Sequence, residues 1–226
     1  MAQSDNKEHT HSQMNIIKRN LTKILLVVLV INLATVLLVT QIPGQQTGAQ
    51  EVPVPDLYWL YGDSNTSDRH KVGTYTYSER LNVNSRNMGI DGETSSTLKT
   101  RVSKEFKGIV EPGFNNICMI LIGVNDFRHN TISKAEVLEN IDATVMEFES
   151  NNCITYVLTY PAISTDEMGL RIGKLNVGIL SHESWNTIDI ASEFEGGHPE
   201  YFQTPFHLNA FGQKVVADKI SLELGL

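Results

Sequence analysis

Cysteine is scarce in this chain: Cys118 and Cys153 are the only 2 in 226 residues. Two cysteines do not make a disulfide scaffold, so a hydrophobic core must hold the fold. Each opens an apolar run that reads as a strand. Adjacent parallel strands rarely offer disulfide geometry, so two buried thiols are expected. Compositional bias is also lacking: 16 Gly and 7 Pro exclude collagen-like and Pro-rich low complexity. No internal repeat is visible. Basic charge is in deficit, with 14 Lys/Arg against 24 Asp/Glu over residues 44–226. An acidic body repels phosphate backbones, so nucleic acid is not an expected partner. The histidines show no zinc-site spacing, and neither a metal nor another cofactor is expected.

Charge is missing altogether from residues 24–43. Ile24 to Ile42 form 19 uncharged residues, close to the roughly 20 that cross a hydrocarbon core. Lys18, Arg19 and Lys23 stand directly before this run. Positive flanks stay in the cytoplasm. The expectation is therefore a cytoplasmic tail (1–23), a single-pass anchor (24–42), a linker (43–55) and an extracytoplasmic domain (56–226), with the membrane as partner. The alternative is secretion after signal cleavage beyond Thr47-Gly48-Ala49.

What is present fits a globular domain: 41% of residues are hydrophobic, and apolar runs alternate with helical patterns. Leu57–Tyr61, Ile117–Ile122 and Ile154–Tyr160 read as central parallel strands, with weaker strands at Val83–Asn87 and Trp185–Ile190. Thr94–Phe106, Ser133–Ser150, Asp166–Ser181 and Ala210–Leu224 read as helices. Ser133 and Glu136 make a capping box, and Val137, Ile141, Val145 and Phe148 form the inward stripe. Such alternation means a three-layer α/β/α sandwich, whose ligands bind beyond the carboxyl ends of the strands.

Small polar clusters stand at those ends. Gly62-Asp63-Ser64-Asn65-Thr66 follows the first strand, Gly89-Ile90-Asp91-Gly92-Glu93-Thr94 the second and Gly123-Val124-Asn125-Asp126 the third; Phe206-His207-Leu208-Asn209 precedes the last helix. A serine hydroxyl becomes a nucleophile when a base accepts its proton, and His207 can be that base. Attack on an ester creates an oxyanion. The Ser64 and Gly92 backbone N–H groups and the Asn125 amide are candidate donors. Glycine at 92 lets backbone approach the substrate, where a side chain would obstruct it. Asp63 and Asp126 read as structural, and His70, His129, His182 and His198 as surface or loop histidines, with His70 a candidate to line the cleft. Asn65-Thr66-Ser67 is formally a glycosylation sequon and is taken as a chance match.

These four blocks, in this order, resemble the SGNH (GDSL-type) ester hydrolases over about residues 56–226. The resemblance implies a flavodoxin-like sheet of about five parallel strands. It also implies Ser64 as nucleophile, Gly92 and Asn125 as oxyanion donors, His207 as base, and acylated carbohydrates, lipids or small esters as substrates, usually without a metal. One position departs from the pattern: where the family has an aspartate three residues before the histidine, this chain has Thr204. Three readings stay open. Thr204 or a main-chain carbonyl orients the imidazole in a Ser–His dyad; a carboxylate such as Glu195 or Glu200 does so; or the domain is a catalytically inactive glycan-binding module. An O-acyltransferase using the same residues is a further alternative to hydrolysis.

Overall fold

The computed structural model describes residues 53–70, 75–128, 132–161 and 167–226. The expected cytoplasmic tail, the apolar run 24–42 and most of the linker lie outside the described residues. Among those described, no helix is long and apolar enough to cross a membrane.

Five strands form one parallel sheet in the order β2-β1-β3-β4-β5: β1 Asp56–Gly62, β2 Ser85–Asn87, β3 Asn115–Leu121, β4 Cys153–Leu158 and β5 Asn186–Ile188. This is the doubly wound, flavodoxin-like order, which reverses direction between β1 and β3. Beyond their first residue, every position of β1 and β3 is buried. Successive side chains face opposite sides, so both faces of the sheet must be covered. The all-apolar runs LYWLY and ICMIL meet that demand.

Helices α1 Tyr77–Arg80, α2 Ser95–Glu105, α3 Val124–Arg128, α4 Lys134–Ser150, α5 Glu167–Leu180 and α6 Ala210–Leu224 supply the cover. Helix α2 packs on α4 and α4 on α5, while α1 packs on α6. The capping box of α4 is present: Glu136 N–H donates to Ser133 Oγ at 3.3 Å, and Ser133 N–H to Glu136 Oε2 at 2.8 Å. Its expected stripe, Val137, Ile141, Val145 and Phe148, is buried. Helix α6 starts at Asn209, whose side chain accepts from Phe211 and Gly212 N–H, and ends at Gly225 with φ 69°. The short helices α1 and α3 had no periodic signal, being too brief to show one.

Two differences from expectation are physical. Strand β4 stops at Leu158 because Tyr160 turns to a side chain: its N–H donates to Asn176 Oδ1 at 2.7 Å and its C=O accepts from Asn176 Nδ2 at 2.9 Å. The cysteines are not free thiols; Cys118 and Cys153 form a disulfide with a Cα–Cα distance of 5.9 Å. The register opposes Cys118 to Thr155 and Asn116 to Cys153, so the cysteines are diagonal neighbours on one face of adjacent strands. The expectation that adjacent parallel strands lack disulfide geometry fails here, because at this diagonal the Cα–Cα distance falls within the range a bridge needs. Closing a loop of 35 residues stabilises the fold by about 4 kcal/mol in the chain-entropy account.

Candidate active site

Ser64 sits in the turn that leaves β1. Thr66 and Ser67 N–H donate back to the Asp63 carbonyl at 3.0 and 2.9 Å, and Asn65 N–H to Asp63 Oδ1 at 2.9 Å. Behind it comes one turn of 3₁₀ helix, Asp68–His70, rather than an α-helix. Gly62 is required by close approach: a Cβ there would lie 2.3 Å from Thr66 Oγ1 and 2.4 Å from the Leu121 carbonyl oxygen. The serine therefore leaves the strand through a turn that only glycine permits.

His207 comes from the loop before α6, and its Nε2 lies 2.9 Å from Ser64 Oγ. Its Nδ1 lies 2.9 Å from Thr204 Oγ1. The same threonine oxygen accepts from His207 N–H at 3.1 Å and from Phe206 N–H at 3.4 Å. Gln203 N–H closes the loop on the His207 carbonyl at 2.8 Å. Of the two carboxylates considered as orienters, Glu200 has Oε1 2.9 Å from His198 Nδ1, and Glu195 lines a different cavity.

Sequence reasoning missed the residue that joins these two segments. Asn65 Nδ2 donates to the Phe206 carbonyl at 2.7 Å, and Asn65 Oδ1 accepts from Leu208 N–H at 2.9 Å. One side chain thus grips the residues on both sides of His207 while its own backbone belongs to the Ser64 turn. It also donates to the Tyr160 hydroxyl. Asn65 is 1% exposed, so it is no glycan acceptor, as the chance-match view of the sequon expected. Only a GDS-N block followed far downstream by a histidine hinted at this role.

The oxyanion candidates are held by another missed pair. Gly92 lies in the β2–α2 connection with φ 74°, a left-handed conformation that glycine tolerates. A Cβ there would meet nothing within 4 Å. The expected obstruction is therefore not by protein atoms; the glycine serves the backbone conformation and leaves the space beside it open. Asn125, buried in α3, donates Nδ2–H to the Glu93 carbonyl at 3.0 Å, directly beside Gly92. Glu93 in turn takes a two-pronged ion pair from Arg101, Nε to Oε1 at 2.8 Å and Nη2 to Oε2 at 2.7 Å. Arg101 also donates to the Met88 carbonyl at 3.0 Å and stacks over Tyr61, 5.1 Å from the ring centroid. Both ends of the loop carrying Gly92 are thereby tied to one guanidinium.

Asp63 and Asp126 hold loops, as expected. Asp126 accepts from Ser95 N–H at 2.9 Å and from its hydroxyl at 2.8 Å, covering the open first turn of α2. Asp63 is fully buried. Burial pushes its carboxyl from 3.8 up to about 7, against the lowering effect of the Asn65 N–H and the Tyr160 hydroxyl. Its Oδ2 has no hydrogen-bond partner among the described residues, as suits a neutral acid.

Ser64, Thr204 and His207 line a cavity of 210 Å³. Gly92 and Asn125 are not among its lining residues; the Glu93 carbonyl ties Asn125 to the loop carrying Gly92. A larger cavity, 580 Å³, lies between α5 and the loop after β5 and holds none of the five candidates. Size alone does not locate the chemistry here. The side chains of His70 and His129 lie outside the described residues; His182 stacks on Trp185 at 3.8 Å, away from Ser64.

No protein-family model matches the chain, and no curated protein matches it. Solved structures do. A lipolytic G-D-S-L family protein from Veillonella parvula is 20% identical with a TM-score of 0.63, covering 74% of this chain and 97% of its own. An acetyl xylan esterase is 18% identical at 0.63, covering 74% and 99%. An acetylxylan esterase from Geobacillus stearothermophilus is 16% identical at 0.62, covering 76% and 96%. The chain has the α/β fold of the SGNH/GDSL-type ester hydrolases.

Proposed function

We propose that this chain is a serine ester hydrolase that removes short acyl groups, acetyl foremost, from carbohydrate or small esters through an acyl-Ser64 intermediate. The observation that carries this is the 2.9 Å contact between Ser64 Oγ and His207 Nε2, made across 143 residues of sequence. Nucleophile and base in mutual reach, with the base bonded behind by a third group, is the arrangement acyl transfer needs. The acetylxylan esterases of like fold support the acetyl group and the carbohydrate.

His207 Nε2 takes the Ser64 proton as Oγ bonds to the carbonyl carbon. The carbonyl oxygen becomes an anion, met by the Ser64 and Gly92 N–H groups and by the Asn125 amide hydrogen not given to Glu93. Removing one such donor costs about 10²–10³ in rate. The bond to the alcohol oxygen then breaks, and that oxygen takes the proton from His207. Water repeats the cycle on the acyl-serine and frees the acid.

Thr204 decides how well this runs. A carboxylate only accepts, which forces the Nδ1–H tautomer and leaves Nε2 free to take a proton. A hydroxyl can accept from Nδ1–H or donate to bare Nδ1. The Thr204 oxygen already accepts from two backbone N–H groups, which turns its own proton toward Nδ1. That arrangement favours a second reading, a glycan-binding module of low or no activity. Hydrolysis of p-nitrophenyl acetate by the full chain, lost in Ser64→Ala, together with fluorophosphonate labelling of Ser64, supports the enzyme. Equal activity in Ser64→Ala refutes it. Thr204→Asp should raise turnover at least tenfold if tautomer balance limits the rate.

The domain works outside the cytoplasm in this proposal, anchored through residues 24–42. A buried disulfide between Cys118 and Cys153 suits an oxidising compartment.

A further inference from the structure

The acyl-serine chemistry leaves the alcohol half of the ester without a partner. In that chemistry the leaving oxygen takes its proton from His207 Nε2, so the alcohol lies on the histidine side of Ser64. The 210 Å³ cavity is on that side. Around Ser64 and His207 its walls include Ser67, Tyr75, Thr76, Gln203, Thr204 and Leu208; the Asn65 and Gln213 amides that also line it are bonded within the fold.

Some of these polar groups are consumed by the fold. The Thr76 hydroxyl bonds to Ser78 Oγ at 2.6 Å, and Thr204 attends to His207. The Tyr75 phenol, 67% exposed, and the Gln203 amide make no hydrogen bond among the described residues. Ser67 Oγ accepts from Arg69 N–H at 3.2 Å and keeps its proton to donate. The groups left for a ligand are a hydroxyl, an amide and a phenol with its ring. All are uncharged, and together they both donate and accept.

That set excludes several alcohols. Among the described residues no Lys or Arg lines the cavity, so a phosphorylated alcohol meets no counter-charge from them. Among the same residues Leu208 and the Tyr75 ring are its apolar surface, too little for a long alkyl chain. A choline-like cation would compete with Arg80, whose guanidinium already stands 5.9 Å from the Tyr75 ring centroid. The volume falls below the roughly 300–1,000 Å³ of sites for drug-sized ligands, enough for one ring. We propose that Tyr75 and Gln203 form the alcohol-side subsite and select a single uncharged sugar ring that carries the ester. This rests on the acyl-Ser64 reading. The ring's C–H face lies against Tyr75, and its hydroxyls bond Gln203 and Ser67.

The test compares two acetates: methyl 6-O-acetyl-glucopyranoside, which has the ring, and ethyl acetate, which has none. With the full chain, Tyr75→Ala and Gln203→Ala should each lower kcat/KM for the sugar acetate about tenfold, through KM. Ethyl acetate should change less than twofold. Tyr75→Phe, which keeps the ring, should fall between Tyr75→Ala and the unaltered chain. A parallel fall on both acetates, or no fall on either, overturns the subsite. If the chain hydrolyses neither acetate, the acyl-serine reading fails separately, and binding decides the subsite. The sugar acetate is then titrated into Ser64→Ala: a tenfold weaker Kd on adding Tyr75→Ala or Gln203→Ala supports the proposal, while an unchanged Kd or undetectable binding overturns it.

Discussion

On the Ser64 side of the site, one neutral amide spans the gap between two chain segments. On the side of Gly92 and Asn125, the candidate oxyanion donors, the same task falls to an ion pair. Asn65 grips Phe206 and Leu208 with hydrogen bonds worth about 0.5–1.5 kcal/mol net each. Arg101 grips Glu93 and Met88 with a charge that had to be desolvated first. The neutral bracket keeps a fixed charge away from Ser64, where one would shift His207. The ionic clamp stands a residue behind Gly92, where it can hold the loop tightly while its charges cancel. Asp63 is the control within the same rim: a buried carboxyl with no cation paired to it among the described residues, whose pKa burial raises to about 7, so that it is about half neutral at pH 7.

The clamp gives the largest expected effect. Arg101→Ala leaves Glu93 buried and unpaired, which should cost about 3–5 kcal/mol of stability in chemical denaturation. Arg101→Lys keeps the charge but loses the fork, and should recover part of the loss. The pair Glu93→Gln with Arg101→Gln should be less damaged than Arg101→Ala alone. A loss under 1 kcal/mol in Arg101→Ala would break the contrast between ionic and neutral halves.

Asn65→Ala comes next. Losing the bracket frees the His207 loop from the Ser64 turn, and misplacement by about 1 Å can cost about 10²-fold. The expected loss is in kcat with KM little changed, in a variant that still melts cooperatively. A KM effect alone would assign Asn65 to substrate contact instead.

The remaining effect is a slope in pH, small over any one unit. Asp63 has a folded pKa of about 7, above its ordinary 3.8. Between those values the folded state holds a proton that the unfolded state has released. This contribution to stability is full below about pH 4 and is lost as pH rises to 7, by at most about 1.4 kcal/mol per pH unit. Asp63→Asn mimics the neutral acid, so melting temperature between pH 4.5 and 7.5 should flatten relative to the parent. An unchanged slope would mean that Asp63 is ionised in the fold.

Much of this architecture was legible along the chain. Continuous apolar runs marked the strands, and Ser133 with Glu136 marked the start of α4, because both signals lie within a few residues of each other. The four polar blocks marked Ser64 and His207, which the structure brings to 2.9 Å, and made Gly92 and Asn125 candidates, since chain order alone puts such blocks at one rim of a parallel sheet. Asn65 was passed over because its partners at 206 and 208 leave no local trace. Glu93 and Arg101 were passed over as well, because nothing local pairs a loop carboxylate with an arginine in the middle of α2.

The disulfide makes the division plain. That Cys118 and Cys153 lie on neighbouring strands followed from the order of elements; whether they are opposed or diagonal depends on register, a long-range quantity set by how two faces pack. The sequence by itself determined the strands, the helices, their caps and the identity of the chemical groups, because hydrophobic period and capping act over one or two turns of chain. Only the tertiary structure decided which amide brackets the histidine, which arginine neutralises the buried glutamate and that Thr204, not Glu195 or Glu200, meets Nδ1. Those choices turn on ångström distances, which no local pattern encodes.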